Sequence, residues 1–280
     1  MVAFALGVMP GTDMVAAADV IAGETGDVRA IPRLPARGIM SDAVGATCAL
    51  LPDAPVAAGP RSWRLEARPQ LITRRLWDQA ERDLDLLEAE WGSSGFTVQV
   101  AALGPWSLAA QVELPNGHLA VTDPGALHDL TEIVTYGLAE HASRLRRRFH
   151  GEVNIQVNEP LLAALNRGEI AGTNDFDVLR PVPAKELGER LHYVFESLPG
   201  RRLLGSGSRP LFDVVRIAQP DAVIVPQSAL VGSELLDGCA AALDAGIGVS
   251  LGSVTLGNDI DDARDVAIRI AQLFDELRMD

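Results

Sequence analysis

Few residues in this sequence have the means to do chemistry, and Glu159 is the first to consider. In "NIQVNEPLLAAL", Asn154 to Leu165, Ile155 and Val157 with their neighbours read as a short buried strand. The strand ends on Asn158-Glu159-Pro160, and an apolar helical pattern follows at once. A carboxylate in that place either faces a site, where it could act as a general base, or caps the helix that follows, since negative charge is favoured at a helix N-terminus. On pattern alone both readings stand.

Thiol and imidazole chemistry has little to draw on. Cys48 and Cys239 each sit in an apolar, helix-like run and read as packed thiols. No disulfide framework follows from two such residues, and a reducing compartment, the cytoplasm, is the expectation. The histidines at 118, 128, 141, 150 and 192 lie in loops or on helical patterns. None is paired with a cysteine at metal-ligand spacing, so each reads as solvated or internally satisfied.

The elements that must position these groups alternate along the chain. Short apolar runs predict strands at Val2–Met9, Val28–Leu34, Val98–Leu103, Val153–Asn158, Arg202–Gly205, Ala222–Val225 and Gly248–Leu251. Helical periodicity separates them. Thr73–Trp91 places Leu76, Ala80, Leu84 and Leu87 on one face. Asp123–Phe149 opens with Asp123 as N-cap and Pro124 at the first helical position, and it closes on basic residues. "LLDGCAAALDAG" and "DDARDVAIRIAQLFDEL" complete the set. Strand–helix alternation predicts a parallel sheet with helices outside it, and uniformly apolar strands fit burial on both faces. No G-x-G-x-x-G follows the first strand, so a (β/α)8 TIM-barrel-like α/β fold is preferred to a dinucleotide-binding sheet, with residues 1–280 as a single domain. The proline-rich, aperiodic segment Pro52–Gln70 reads as a long excursion between the second and third strands.

In a parallel barrel the site lies at the carboxyl ends of the strands, which would put Asn158 and Glu159 on the rim. The formal net charge is −14, from 24 basic and 38 acidic residues, which disfavours nucleic acid as a partner. No apolar run reaches the roughly 20 residues of a membrane helix, so no membrane partner is expected. "MVAFALGVMPGTD" lacks a basic leading region and reads as a strand and turn, not a signal peptide.

Four motifs at strand ends then converge. "GVMPGT", "LPARGIMSDAVG", "GPWSLAAQVELPNGH" and "QVNEP" resemble the catalytic domain of the cobalamin-independent methionine synthases, above all the short single-domain branch found in actinobacteria. The similarity runs from about Phe4 to Leu277. It implies a (β/α)8 barrel, a place in methionine biosynthesis, and methyl transfer from a folate-type donor to a thiol such as homocysteine. That reaction needs a thiolate at neutral pH, which zinc supplies by lowering the thiol pKa. The resemblance implies zinc ligands from a His-x-Cys pair, a Glu and a late Cys. Here those places read Gly205-Ser206-Gly207 and Gln227, and the final Cys would lie beyond Asp280. The zinc expected of the family therefore finds no ligands in this sequence.

The amino-acid-binding positions that the resemblance implies have changed as well. Gly7-Val8 stands for Gly-Ser, Asn158 for Asp, and Gln99 for Lys. Asp42, Gly104-Pro105-Trp106, Gln156 and Glu159-Pro160 are retained. The candidate substrate-binding residues are thus Asp42, Trp106, Gln156, Asn158 and Glu159. Each also has a plainer reading: Asp42 as an N-cap, Trp106 as core, Gln156 as packed polar filling. The expectation is a methionine-synthase-like barrel that has lost its zinc ligands and whose catalytic residues are unknown, inactive or repurposed to bind a small polar metabolite; an active methyltransferase of that family is the alternative. Seven strands leave the barrel one βα unit short. "SWRLEA" within Pro52–Gln70, a homodimer, or a miscounted strand would each close the gap.

Overall fold

A computed structural model describes residues 3–59, 61–93, 95–172, 179–252 and 263–277. In chain order the elements are α1 (Met14–Glu24), β1 (Val28–Ala30), α2 (Ala43–Cys48), β2 (Val56–Ala58), β3 (Trp63–Leu65), α3 (Leu71–Trp91), β4 (Thr97–Leu103), α4 (Pro105–Ala109), β5 (Val112–Glu113), α5 (Pro124–Phe149), β6 (Val153–Asn158), α6 (Leu162–Arg167), α7 (Ala184–Ser197), β7 (Arg201–Gly205), α8 (Phe212–Ala218), β8 (Ala222–Pro226), α9 (Ser233–Asp244), β9 (Gly248–Gly252) and α10 (Ala263–Glu276).

Six strands form one sheet in the order β1-β4-β6-β7-β8-β9, and every pairing in it is parallel. Alternation assigns the two faces. Val98, Val100, Ala102, Ile155, Val157, Leu204, Val223 and Val225 belong to the large core shared with the helices. Leu203, Ala222 and Ile224 point the other way and form a small separate cluster with Phe4. One cleft is bordered by residues in or just after all six strands, so the sheet curls around it. The architecture is α/β and TIM-barrel-like. Among the described residues no ladder joins β9 to β1, and the barrel is incomplete.

The helices form where the sequence places them. Asp123 caps α5, its Oδ1 accepting from Ala126 N at 2.9 Å, and Arg146, Arg147 and Arg148 occupy the last turn, where cations suit the helix dipole. Arg148 then binds Glu88 at 2.6 Å and also Asp85, which ties α5 to α3. α3 buries Leu76, Leu84, Leu87 and Trp91 and stops at Gly92, whose φ is +71°. The first two residues of "DDARDVAIRIAQLFDEL" lie outside the described residues.

Three expectations need correction. The run Val2–Met9 is no strand over the described part; only Val8 pairs, in an isolated parallel bridge to Arg33. Gly7 is the physical reason, because its φ of +86° turns the chain out of extended geometry. The Val28–Leu34 run ends as a strand at Ala30, and Pro32, with no N–H to give to a ladder, follows closely. "SWRLEA" does contain a strand, β3, but it does not fill the gap. It pairs antiparallel with β2 and parallel with β5 in a separate three-stranded sheet. Trp63 anchors that sheet against α2: its indole is buried and donates to Asp42 Oδ2 at 2.9 Å.

No helix among the described residues is long and apolar enough to cross a membrane.

Candidate ligand-binding cleft

The carboxyl ends of the strands enclose a cleft of about 470 Å³, within the usual range for small-molecule sites of roughly 300–1,000 Å³. Its wall is mostly small or apolar: Ala43, Ala46, Ala101, Gly205, Ile224 and Pro226 among others. Its polar side chains are few, and each has a distinct status.

The register of β4 and β6 places Gln99, Gln156 and Asn158 on the cleft-facing side of the sheet, since Ala101 pairs with Gln156 and Leu103 with Asn158. Their carboxamides form a chain. Gln99 Nε2 donates to Gln156 Oε1 at 2.8 Å, and Gln156 Nε2 donates to Asn158 Oδ1 at 2.8 Å. The direction of this chain is set at its inner end. Gln99 Nε2 also donates to the Ala5 carbonyl, at 3.3 Å, and a carbonyl can only accept. Gln156 must then offer its oxygen inward and its amide outward. The outermost group, the Asn158 amide, keeps its N–H donors for the cleft. Gln99 Oε1 is buried without a partner, which costs free energy.

Arg33 is the only charged residue among the described residues that border the cleft. It follows Pro32 just past β1 and is partly buried. Its Nη1 donates to the Ser41 carbonyl at 3.3 Å. Burial lowers its pKa, and Asp42 pulls it back up; an arginine stays cationic throughout. Thr47 also borders the cleft but is fully engaged, donating to the Ala43 carbonyl at 2.8 Å and accepting from Leu103 N at 2.8 Å.

Of the five candidates from the sequence, Gln156 and Asn158 border the cleft and Asp42, Trp106 and Glu159 do not. Asp42 is the N-cap of α2, where Oδ1 accepts from Gly45 N at 2.6 Å, and Oδ2 holds Trp63. Trp106 is buried in α4, with its indole donating to the Leu187 carbonyl at 3.1 Å and the Arg190 guanidinium stacked 5.0 Å from its ring.

Glu159 is fully buried and caps a helix, though not the one that follows it. Its Oε1 accepts from Trp106 N at 3.0 Å and its Oε2 from Ser107 N at 2.7 Å, both at the start of α4. The Ser107 hydroxyl also bonds the carboxylate and accepts from Leu161 N at 3.1 Å, which closes the loop. Gly104 makes this possible, because a Cβ there would overlap the carboxylate. Burial raises the Glu159 pKa from 4.5 to about 7, against the lowering effect of the three hydrogen bonds.

The places from which zinc would be held do not fit the metal. A Cβ on Gly205 would overlap the Asn158 carboxamide, so no histidine stands there with Asn158 in place. Gln227 offers a neutral carboxamide, a weak ligand beside a carboxylate. Cys48 and Cys239 are buried in α2 and α9, and burial with the nearby Asp42 pushes the Cys48 thiol up to about 12, far from a thiolate. Among the described residues no three His, Cys, Asp or Glu side chains are grouped to hold a metal.

Sequence reasoning passed over Arg33 and the direction of the carboxamide chain. The rule that drew attention to Glu159, a charged residue at a strand end, applies equally to Arg33. His141 also departs from expectation. It is buried on α5 with Nε2 unpartnered, and burial, then Arg144, lowers its pKa to about 4.

No protein-family model matches this sequence, and no curated protein does. Solved structures are similar in shape. A methyltransferase from Methanosarcina mazei aligns over 95% of this chain and 85% of its own, with 11% identity and a TM-score of 0.49. A B12-independent methionine synthase from Shewanella sp. W3-18-1, in complex with selenomethionine, aligns over 76% of this chain and 59% of its own, with 14% identity and a TM-score of 0.48.

Proposed function

We propose that this chain is a methionine-synthase-like barrel protein that binds a small polar metabolite at the carboxyl ends of its strands and has given up zinc-dependent methyl transfer. The observation that carries this reading is the pairing of Gly205 with Asn158. The space a metal-binding histidine would need is taken by a carboxamide that belongs to a directed hydrogen-bond chain. The same exchange removes a metal ligand and supplies a neutral donor to the cleft. Deep in the sheet, Gln99 and Gln156 hold that donor in place at the cost of an unsatisfied buried oxygen.

Elemental analysis of the purified full chain, dialysed with and without prior saturation with zinc, tests this directly. The expected result is no retained zinc. Stoichiometric zinc after dialysis would overturn the ligand-loss reading and make methyl transfer to homocysteine the reaction to assay. A thermal-shift screen of small polar compounds tests the binding half. Compounds that occupy the cleft raise the Tm of the parent protein, and their effect shrinks when Asn158→Ala removes the outermost amide.

A further inference from the structure

The cleft carries a single charge among the residues described, and that charge is positive in a chain of net charge −14. Among the described residues Arg33 makes no ion pair. Asp42, the acid that acts on it electrostatically, has both oxygens engaged, by Gly45 N and by the Trp63 indole. Arg33's hydrogen bond to the Ser41 carbonyl uses one of the five N–H donors of a guanidinium. None of the Arg33 nitrogens is a buried donor without a partner, so the remaining donors are open to solvent, where an incoming anion can take them. The second donor facing the same space is the Asn158 amide, whose polarity the Ala5 carbonyl fixes through Gln99 and Gln156. No carboxylate among the described residues borders the cleft to receive an ammonium group or to repel an acid.

We infer that the ligand of this cleft is a small organic carboxylate, its anionic group paired with Arg33 and a second acceptor oxygen held by the Asn158 amide. The inference rests on the proposed binding role of the cleft and adds the chemical class of what it binds. Charge balance selects a carboxylate over a phosphate. One guanidinium neutralises one carboxylate group, and the far carboxylate of a dicarboxylate such as succinate reaches the solvent at the open side of the cleft, whereas both charges of a phosphate dianion sit on one centre beside a largely apolar wall. The planar fork of arginine also matches the two oxygens of a carboxylate.

The test follows the Asn158 side-chain amide in 1H–15N spectra of the full chain, assigned by its loss in Asn158→Asp. Acetate and succinate are titrated against acetamide and succinamide at constant ionic strength, with inorganic phosphate as a separate arm. The expected result is a saturable shift with the carboxylates, little with the amides, and an affinity for succinate reduced roughly tenfold or more in Arg33→Gln. Arg33→Lys recovers part of it, and Arg209→Gln, an exposed residue away from the cleft, leaves it unchanged. An unperturbed backbone spectrum for Arg33→Gln shows that the fold is intact. Amides that bind as well as carboxylates, or succinate binding indifferent to Arg33→Gln, would overturn the carboxylate assignment and leave the binding role standing. Tighter binding of phosphate than of succinate would overturn it too. If neither carboxylates nor amides move the Asn158 resonance, this inference and the proposed binding role both fall.

Discussion

Glu159 Oε2 accepts a hydrogen bond from Ser107 N at 2.7 Å across 52 residues of sequence, and this contact joins two βα units at their carboxyl ends. The carboxylate leaves β6 and caps α4, the helix after β4. It also receives Trp106 N and the Ser107 hydroxyl. Of the two readings the sequence left open, a rim residue facing a ligand or a cap on the following helix, the structure shows a cap on a different helix, α4.

Glu159→Ala strands three buried donors at once. Each unsatisfied donor costs about 1–3 kcal/mol, so the variant is expected to lose roughly 3 kcal/mol or more. Urea unfolding measures this. A loss below about 1 kcal/mol, the range of surface substitutions, would contradict the capping role.

Two buried groups bias stability with pH in opposite directions. Glu159 has its pKa raised from 4.5 to about 7, so between these values the native state holds a proton that the unfolded chain has released. Stability from this group therefore falls as pH rises through that window. His141 has its pKa lowered from 6.5 to about 4, so the unfolded chain takes up a proton that the native state refuses, and stability falls as pH drops. Each effect amounts to about 3 kcal/mol over its full window. From pH 4.5 to 6.5 they nearly cancel. Glu159→Gln should unmask the acid-side loss, and His141→Gln should unmask a decline from pH 4.5 to 7. Urea midpoints across pH 4 to 8 for parent and both variants decide this; parallel profiles would refute it.

Gly205→Ala is expected to cost about 1–3 kcal/mol, because the new methyl overlaps the Asn158 carboxamide. Combined with Asn158→Ala, which clears that space, the cost should shrink, giving a favourable coupling in a double-mutant cycle. Additive losses would mean that the two side chains do not compete for the same volume.

Gln156→Leu removes both carboxamide bonds of the chain while keeping its volume similar. The expected loss is about 2 kcal/mol, together with a shifted Asn158 amide resonance. A variant as stable as the parent with an unmoved resonance would show that the chain does not orient Asn158.

Several of these features are legible without coordinates. The alternation of apolar runs and helical periods determined a parallel α/β fold, and Asp123-Pro124 with Arg146, Arg147 and Arg148 marked the ends of the longest helix. These are local signals, set by backbone sterics, capping and the helix dipole, and they survive whatever packs around them. The residues Asp42, Trp106, Gln156, Asn158 and Glu159 also stood out by type and place. Tertiary structure alone decided what each of them contacts. The Leu103–Asn158 register brings the end of β4 beside the end of β6, so the nearest orphan helix terminus for Glu159 is that of α4 and not that of its own unit. The same register stacks Gln156 and Asn158 onto Gln99, while Arg33 borders the cleft with no ion-pair partner among the described residues. Partners more than 50 residues apart are fixed by strand order and burial, which no local pattern encodes, and those partnerships separate a carboxylate buried against α4 from an arginine that borders the cleft.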